Sequence, residues 1–284
     1  MKVVLFCGGL GMRLRDYSDA IPKPMVPVGY RPILWHVMRY YAHYGHKDFI
    51  LCLGYKADVI KQYFLNYDET ISNDFVLRDG GKKVELLASD IQDWNITFVD
   101  TGLTSNIGQR LKAVQPFLAG ESMFLANYSD GVSDLPLDAM IEFFEKRRDA
   151  VGCFAGVAPT SSFHLVKVAS GGEVRSIQHV KDVGMRVNGG FFVFRSEIFE
   201  WMRDGEELVQ EPFQRLAAAG RLLAYEHDGF WACMDTFKEK QILEDMYSRG
   251  HAPWEVWSKK GAPREAGSDA TAIASGNPKS EVGT

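Results

Sequence analysis

Short apolar runs alternate with amphipathic stretches through the first half of the chain. The apolar, β-rich runs predict strands near residues 2–7, 48–53, 95–99 and 122–127. Apolar residues at helical spacing predict helices near residues 32–45, 56–66, 106–117 and 137–148. Strands that alternate with helices are typical of a mostly parallel sheet flanked by helices. We therefore expect an α/β fold with a three-layer, Rossmann-like sheet.

The pattern changes after residue 150, where β-rich pieces follow one another closely. Strands are predicted near residues 150–157, 163–169, 173–178, 187–194 and 222–227, and helices near residues 196–203 and 208–219. We interpret these pieces as a smaller β region inserted into one continuous domain. Residues 68–94 are polar and lack a clear period. Residues 260–284 are rich in Gly, Ala, Ser and Pro, which predicts a disordered tail.

The composition narrows the class of protein. Hydrophobic residues occupy 46% of the 284 positions, enough to fill a substantial core. The net charge of −5 argues against a general nucleic-acid or membrane-surface binder, because both need an excess of positive charge. The four cysteines lack the paired spacing of zinc sites and disulfide frameworks, which favours a reducing compartment. We expect a soluble, cytoplasmic protein in which any phosphate site is a local basic pocket.

The first predicted strand runs directly into a glycine-rich loop. Residues 8–11 contain three glycines, and Arg13 and Lys23 follow closely. Bare backbone with nearby positive charge can hold a polyphosphate, although a tight turn is the alternative for glycines after a strand. The P-loop pattern has no match, and Leu14 stands where the dinucleotide-binding pattern needs its third glycine. Because ligands of open α/β sheets bind at the carboxyl ends of strands, this loop and the turn at residues 127–131 are expected to meet.

Several motifs together resemble the sugar-1-phosphate nucleotidylyltransferase family, and its glucose-1-phosphate cytidylyltransferase branch in particular. They lie at residues 8–14, 22–25, 31–36, 54–56, 94–97, 99–102, 130–132, 188–192 and 229–236. The resemblance implies a nucleotide-diphospho-sugar transferase-like fold and one nucleotidyltransferase domain over residues 1–257. Within that domain, residues 150–230 are expected to contribute acceptor-binding elements.

The reaction implied by the resemblance is the transfer of a cytidylyl group from CTP to a sugar-1-phosphate or related phosphorylated acceptor, with release of pyrophosphate and dependence on Mg²⁺. Such chemistry needs cations and backbone amides that position two anions and stabilise charge at phosphorus. Two alternatives stay open. One is a uridylyl- or thymidylyltransferase on the same fold, and the other is a non-catalytic, nucleotide-binding regulatory homologue.

The resemblance also implies roles for individual residues. Arg13 and Lys23 are expected to be catalytic. The residues expected to contact the nucleotide are Gly8, Gly9, Leu10, Gly11, Met12, Arg13, Lys23, Thr101, Gly102, Thr104 and Asp130. Asp130 and Asp235 are expected to hold Mg²⁺, which prefers oxygen ligands. The alternatives are an ordinary turn aspartate for Asp130 and a helix N-cap for Asp235.

The acceptor site is where the chain departs from the branch. The residues expected to bind the acceptor are Arg110, Lys181, Asn188, Gly189 and Glu211. Residues 178–182 read Gln-His-Val-Lys-Asp where many relatives carry Glu-Lys-Pro, and Ser129 replaces a glycine common in relatives. Arg110 has the alternative of an exposed helix arginine. A homo-oligomer stays open, although we interpret the aromatic helix from Trp35 to Tyr44 as core packing.

Overall fold

The computed structural model describes residues 1–9, 21–160 and 163–258. Its centre is an eight-stranded sheet. In order of hydrogen-bonded neighbours, seven of its strands are β13 (Val187–Asn188), β10 (Gly152–Val157), β14 (Phe192–Arg195), β8 (Met123–Tyr128), β1 (Lys2–Phe6), β4 (Asp48–Leu53) and β7 (Asn95–Asp100). The eighth strand, β15 (Leu222–His227), pairs in parallel with β10. Strands β8, β1, β4 and β7 run parallel to one another, so their carboxyl ends share one edge.

Helices cover both faces of this sheet. The α-helices within the described ranges are α1 (Ile33–His43), α2 (Ala57–Leu65), α3 (Ile107–Val114), α4 (Leu137–Glu145), α5 (Glu211–Ala218) and α6 (Phe237–Ser248). A first core holds the apolar sides of α1, α2, α4 and α6, and a second core holds those of α3 and α5. In β1, Val3 and Leu5 face the first core while Val4 and Phe6 face the second. A strand buried on both faces reads as a continuous apolar run, which explains the signal that predicted it.

The predicted α/β fold with three layers and a mostly parallel sheet is confirmed. The four strands predicted in the first half correspond to β1, β4, β7 and β8, and the four helices to α1, α2, α3 and α4. Trp35, Tyr40 and Tyr41 of α1 are buried, so the interpretation of this aromatic helix as core packing is also confirmed.

The region after residue 150 divides between the central sheet and a separate hairpin. β10, β13, β14 and β15 extend the sheet, whereas β11 (His164–Val168) and β12 (Val174–His179) pair only with each other among the described strands. The strand predicted at residues 187–194 is interrupted at Gly190, whose φ of 79° is left-handed. The helix predicted at residues 196–203 is a 3-10 helix, Ser196–Trp201.

Three further strand pairs lie outside the central sheet. They are β2 (Pro27–Val28) with β3 (Arg31–Pro32), β5 (Phe75–Arg78) with β6 (Lys83–Leu86), and β9 (Gly131–Ser133) with β16 (Trp231–Cys233). The β5–β6 hairpin falls in the stretch without a clear period, because seven of its eight residues are exposed and no buried face imposes alternation. The tail at residues 260–284 lies outside the described residues. Among the residues described, no helix is both long and apolar enough to span a bilayer.

Candidate active site

A cleft of about 370 Å³ opens at the carboxyl edge of the parallel strands. The described residues that line it come from six segments of the chain. They are Phe6, Cys7, Gly8, Gly9, Lys23, Pro24, Ser105, Asn106, Ile107, Arg110, Tyr128, Ser129, Asp130, Glu207 and Asp235. The glycine loop and the turn at residues 127–131 therefore meet, as the strand pattern predicted.

Lys23 lies at the centre of the charged groups in this cleft. It begins a 3-10 helix, Lys23–Met25, between two prolines that fix the backbone on either side. Its ammonium group pairs with the carboxylates of both Asp130 and Asp235. Burial alone lowers the pKa of Lys23, but the charge of Asp130 and hydrogen bonds to both carboxylates outweigh burial and raise that pKa above its ordinary value. We call these three residues the lysine–carboxylate cluster.

Strand pairing brings the two carboxylates together. Asp130 precedes β9 and Asp235 follows β16, and these strands pair antiparallel with Gly131 opposite Cys233. The backbone N–H of Met234 also donates to the carbonyl of Asp130 at 2.9 Å. Asp130 and Asp235, which are 105 positions apart in the sequence, thus contact the same ammonium group of Lys23.

Asp235 does not cap the following helix, so that alternative is wrong. The N-cap of α6 is Thr236, whose side chain accepts from the Glu239 N–H in a capping box. The Glu239 carboxylate in turn accepts from the backbone N–H of Asp235 at 2.8 Å. The cap is complete without the Asp235 side chain, which is left to face the cleft.

The donor atoms here suit a hard divalent cation. One ligand atom each from Asp130, Cys233 and Asp235 lie within 4.8 Å of one another. Burial and the nearby carboxylates raise the pKa of the Cys233 thiol, which keeps it neutral at neutral pH. The two carboxylates are therefore the charged donors, and carboxylate oxygen is the ligand type that magnesium uses.

Arg110 is buried beneath the glycine loop, so the alternative of an exposed helix arginine is wrong. Its Nη1 donates to the Leu53 carbonyl at 3.1 Å, the Thr101 hydroxyl at 2.7 Å and the Gly102 carbonyl at 2.9 Å. Its Nη2 donates to the Gly8 carbonyl at 3.0 Å. One guanidinium thus fixes the loops that follow β1, β4 and β7. Its expected contact with the acceptor stays a prediction.

None of the residues in the loop at 101–104 lines the cleft. The Thr101 hydroxyl is buried and donates to the Leu53 carbonyl at 2.8 Å. Gly102 and Thr104 are exposed and are not among the residues lining the cleft. Ser129, which replaces the glycine common in relatives, lines the cleft but donates its hydroxyl to the Phe6 carbonyl at 2.8 Å. Its side chain therefore ties β8 to β1.

The other residues expected to bind the acceptor do not line the cleft. Asn188 accepts from the Gly190 N–H at 2.9 Å, and Trp231 donates to the Gly189 carbonyl at 2.8 Å. Glu211 begins α5 and accepts from the Glu207 N–H at 3.2 Å. Lys181 is exposed in a 3-10 helix, Val180–Val183, after the β11–β12 hairpin.

The predicted contacts of the glycine loop divide at residue 9. Gly8 and Gly9 line the cleft. Four further residues of this loop are expected to contact the nucleotide, but they lie outside the described residues. They are Leu10, Gly11, Met12 and Arg13.

The sequence matches the family model described as nucleotidyl transferase over residues 2–243. The chain belongs to this family. Among similar proteins, the glucose-1-phosphate cytidylyltransferase of Salmonella typhimurium strain LT2 is 41% identical over 259 residues, which cover 90% of this chain and 100% of that protein. The mannose-1-phosphate guanyltransferase of Yarrowia lipolytica is 25% identical over 249 residues, covering 86% of this chain and 62% of that protein.

A solved structure shares the fold. The crystal structure of UDP-glucose pyrophosphorylase complexed with UDP-glucose has a TM-score of 0.63 at 15% identity, covering 88% of this chain and 98% of that one. The resemblance inferred from the motifs is therefore confirmed for the family, and the nucleotide-diphospho-sugar transferase-like fold is confirmed as well.

Nine of the described residues that line the cleft were not among the predicted site residues, and four of these nine are Ser105, Asn106, Tyr128 and Glu207. Asn106 forms a capping box with Gln109 at the start of α3, a pattern readable in the sequence, and Ser105 precedes it. Tyr128 ends β8 directly before the turn already singled out. Glu207 carries no local signal, because adjacent glutamates before a helix usually form a solvated face.

Proposed function

We propose that this chain transfers the cytidylyl group of CTP to a glucose-1-phosphate-like sugar phosphate and releases pyrophosphate. The observation that carries the proposal is the lysine–carboxylate cluster beside Gly8 and Gly9, in a chain 41% identical to a glucose-1-phosphate cytidylyltransferase over that protein's whole length. A protein that only bound nucleotide would have no need for two carboxylates converging on a lysine. Uridylyl or thymidylyl transfer is the second candidate, because relatives with other base preferences share the fold.

The chemistry is a single displacement at phosphorus. A phosphate oxygen of the sugar phosphate attacks the α-phosphorus of the triphosphate and forms a new O–P bond. The bond from that phosphorus to the bridging oxygen breaks, and its electron pair leaves with pyrophosphate. Because both reactants are anions, the protein has to hold them together and offset the charge that develops.

Lys23 is proposed to supply positive charge that offsets the charge of the two reactants. In the structure its charge is divided between Asp130 and Asp235. We infer that Asp130 and Asp235 hold Mg²⁺ when the triphosphate binds, and that Lys23 then engages phosphate oxygens. The metal supplies charge neutralisation on the phosphates when it is bound. Arg13, like Lys23, is expected to engage phosphate oxygens of the triphosphate.

The nucleotide is proposed to lie along the glycine loop, with Gly8, Gly9, Leu10, Gly11 and Met12 offering backbone N–H groups. Arg110 supports this loop from below through the Gly8 carbonyl. Residues 150–230 are proposed to supply the acceptor side, from Lys181, Asn188, Gly189 and Glu211. Residues 1–257 are proposed to act as one domain.

The proposal includes a cytosolic location, supported by four cysteines that are all free.

The test is a pyrophosphate-release assay with CTP, UTP, dTTP, GTP and ATP against a panel of hexose-1-phosphates. We expect release with CTP and glucose-1-phosphate and a requirement for Mg²⁺. Release with UTP or dTTP but not with CTP would replace the cytidylyl assignment by the second candidate. Nucleotide binding without release across the whole panel would favour a regulatory homologue.

A further inference from the structure

One carboxylate in the cleft has no task in the chemistry above. Glu207 lies before α5 and lines the cleft. Its Oε2 accepts from the backbone N–H of Ile107 at 3.3 Å. Its Oε1 is buried and, among the described residues, has no hydrogen-bond partner. A buried acceptor without a donor costs free energy, so this oxygen calls for a donor from a ligand.

The backbone around Glu207 holds that oxygen in place. The preceding Glu206 pairs with Arg215 through two hydrogen bonds, at 2.8 and 2.5 Å. The Glu206 carbonyl lies so close to α3 that a Cβ at Gly108 would be 2.2 Å from it. The Glu207 backbone N–H donates a hydrogen bond to the Glu211 carboxylate. A fixed, desolvated acceptor of this kind discriminates between ligands that do and do not present a donor.

The segments that carry the lysine–carboxylate cluster and Glu207 pack in different cores. Met25 and Met234, which neighbour the cluster in sequence, belong to the first core. Leu208 belongs to the second core and Ile107 packs against it. Glu207 and the cluster line the same cleft, so one nucleotide can contact the cluster with its phosphates and Glu207 with its base.

We propose that Glu207 determines base specificity by accepting a hydrogen bond from the exocyclic amino group of cytosine, a role that rests on the proposed function. Cytosine presents an N–H donor at the position where uracil and thymine present a carbonyl oxygen. A carboxylate oxygen pairs with the first and repels the second. Tyr128 also lines the cleft, so its side chain and that of Glu207 flank the same space.

The sharpest test is Glu207→Gln, which keeps the shape of the side chain. Its amide oxygen can retain the bond to the Ile107 N–H, which turns the amide NH₂ toward the cleft in place of an acceptor. We expect the ratio of kcat/KM for CTP to that for UTP to fall about ten- to hundredfold. This ratio is insensitive to the fraction of folded enzyme. Asp204→Asn is the matched control, because that side chain is 96% exposed, and it should leave the ratio unchanged.

An unchanged ratio in Glu207→Gln would overturn the proposal. An equal loss with CTP and UTP would overturn it too, since it would place Glu207 against a ribose or sugar hydroxyl. Calorimetric binding of CMP and UMP to both variants reports the same preference without turnover. If no triphosphate releases pyrophosphate, the proposed function fails, while the CMP-to-UMP affinity ratio still decides the role of Glu207.

Discussion

A methyl group added at Gly8 should destabilise the loop that forms the floor of the cleft. The Cβ of an alanine there would lie 2.0 Å from Nη1 and 2.4 Å from Cζ of Arg110. Ordinary van der Waals contact begins at 3.4 Å, so the guanidinium has to retreat by more than 1 Å. Nη1 cannot then keep its bonds to Leu53, Thr101 and Gly102, which are 2.7–3.1 Å long.

The expected magnitude follows from those bonds. Hydrogen bonds from a charged donor contribute about 1.5–3 kcal/mol each. Losing two of them, with partial recovery as the guanidinium turns into the cleft, should lower the free energy of unfolding by about 3 kcal/mol. For a chain of this size the melting temperature should fall by about 6–12 °C. Denaturant titration followed by tryptophan fluorescence measures the first quantity, and a thermal melt measures the second.

Gly9→Ala is the matched control for this prediction. A Cβ at Gly9 meets nothing within 4 Å, and neither glycine has a left-handed φ. We expect the free energy of unfolding of Gly9→Ala to stay within about 0.5 kcal/mol of the wild type. The reasoning is refuted if Gly8→Ala is equally well tolerated, or if the two variants are destabilised to the same extent.

Two further predictions concern single buried groups. Ser129→Gly removes the bond to the Phe6 carbonyl and should lower the free energy of unfolding by about 1 kcal/mol; a more stable variant would contradict it. Burial lowers the pKa of His36 to about 4, whereas an unfolded histidine titrates near 6.5. As the pH falls, the unfolded chain binds the proton at a higher pH than the folded chain does. The free energy of unfolding should therefore fall by about 3 kcal/mol between pH 6.5 and pH 4. His36→Gln should flatten that part of the pH–stability curve in urea titrations, and an equally steep curve would contradict the assignment.

The sequence predicted the central sheet well because its strands are buried on both faces. Val3 and Leu5 pack in one core and Val4 and Phe6 in the other, so β1 stands out as an apolar run. The β5–β6 hairpin gave no such signal, since neither of its faces is buried. Prediction from hydrophobic pattern works where burial imposes a period.

The site was predicted unevenly for a different reason. Lys23, Asp130 and Asp235 were assigned through resemblance, because no spacing rule connects residues 212 positions apart in a chain. Arg110 sits in ordinary helical sequence, and its acceptors come from three separate loops that only the fold assembles. Glu207 was not predicted for the same reason, because its contact with Ile107 joins residues 100 positions apart.

We propose that nucleotidyl transfer takes place at the lysine–carboxylate cluster. The most direct measurement is magnesium-dependent pyrophosphate release from CTP and glucose-1-phosphate by the wild type and Asp130→Asn. Asp138→Asn, on the exposed side of α4, serves as the control. We predict a loss of about a hundredfold or more in kcat/KM for Asp130→Asn and no change for Asp138→Asn. A kcat/KM for Asp130→Asn equal to that of the wild type would contradict the placement of transfer at the cluster.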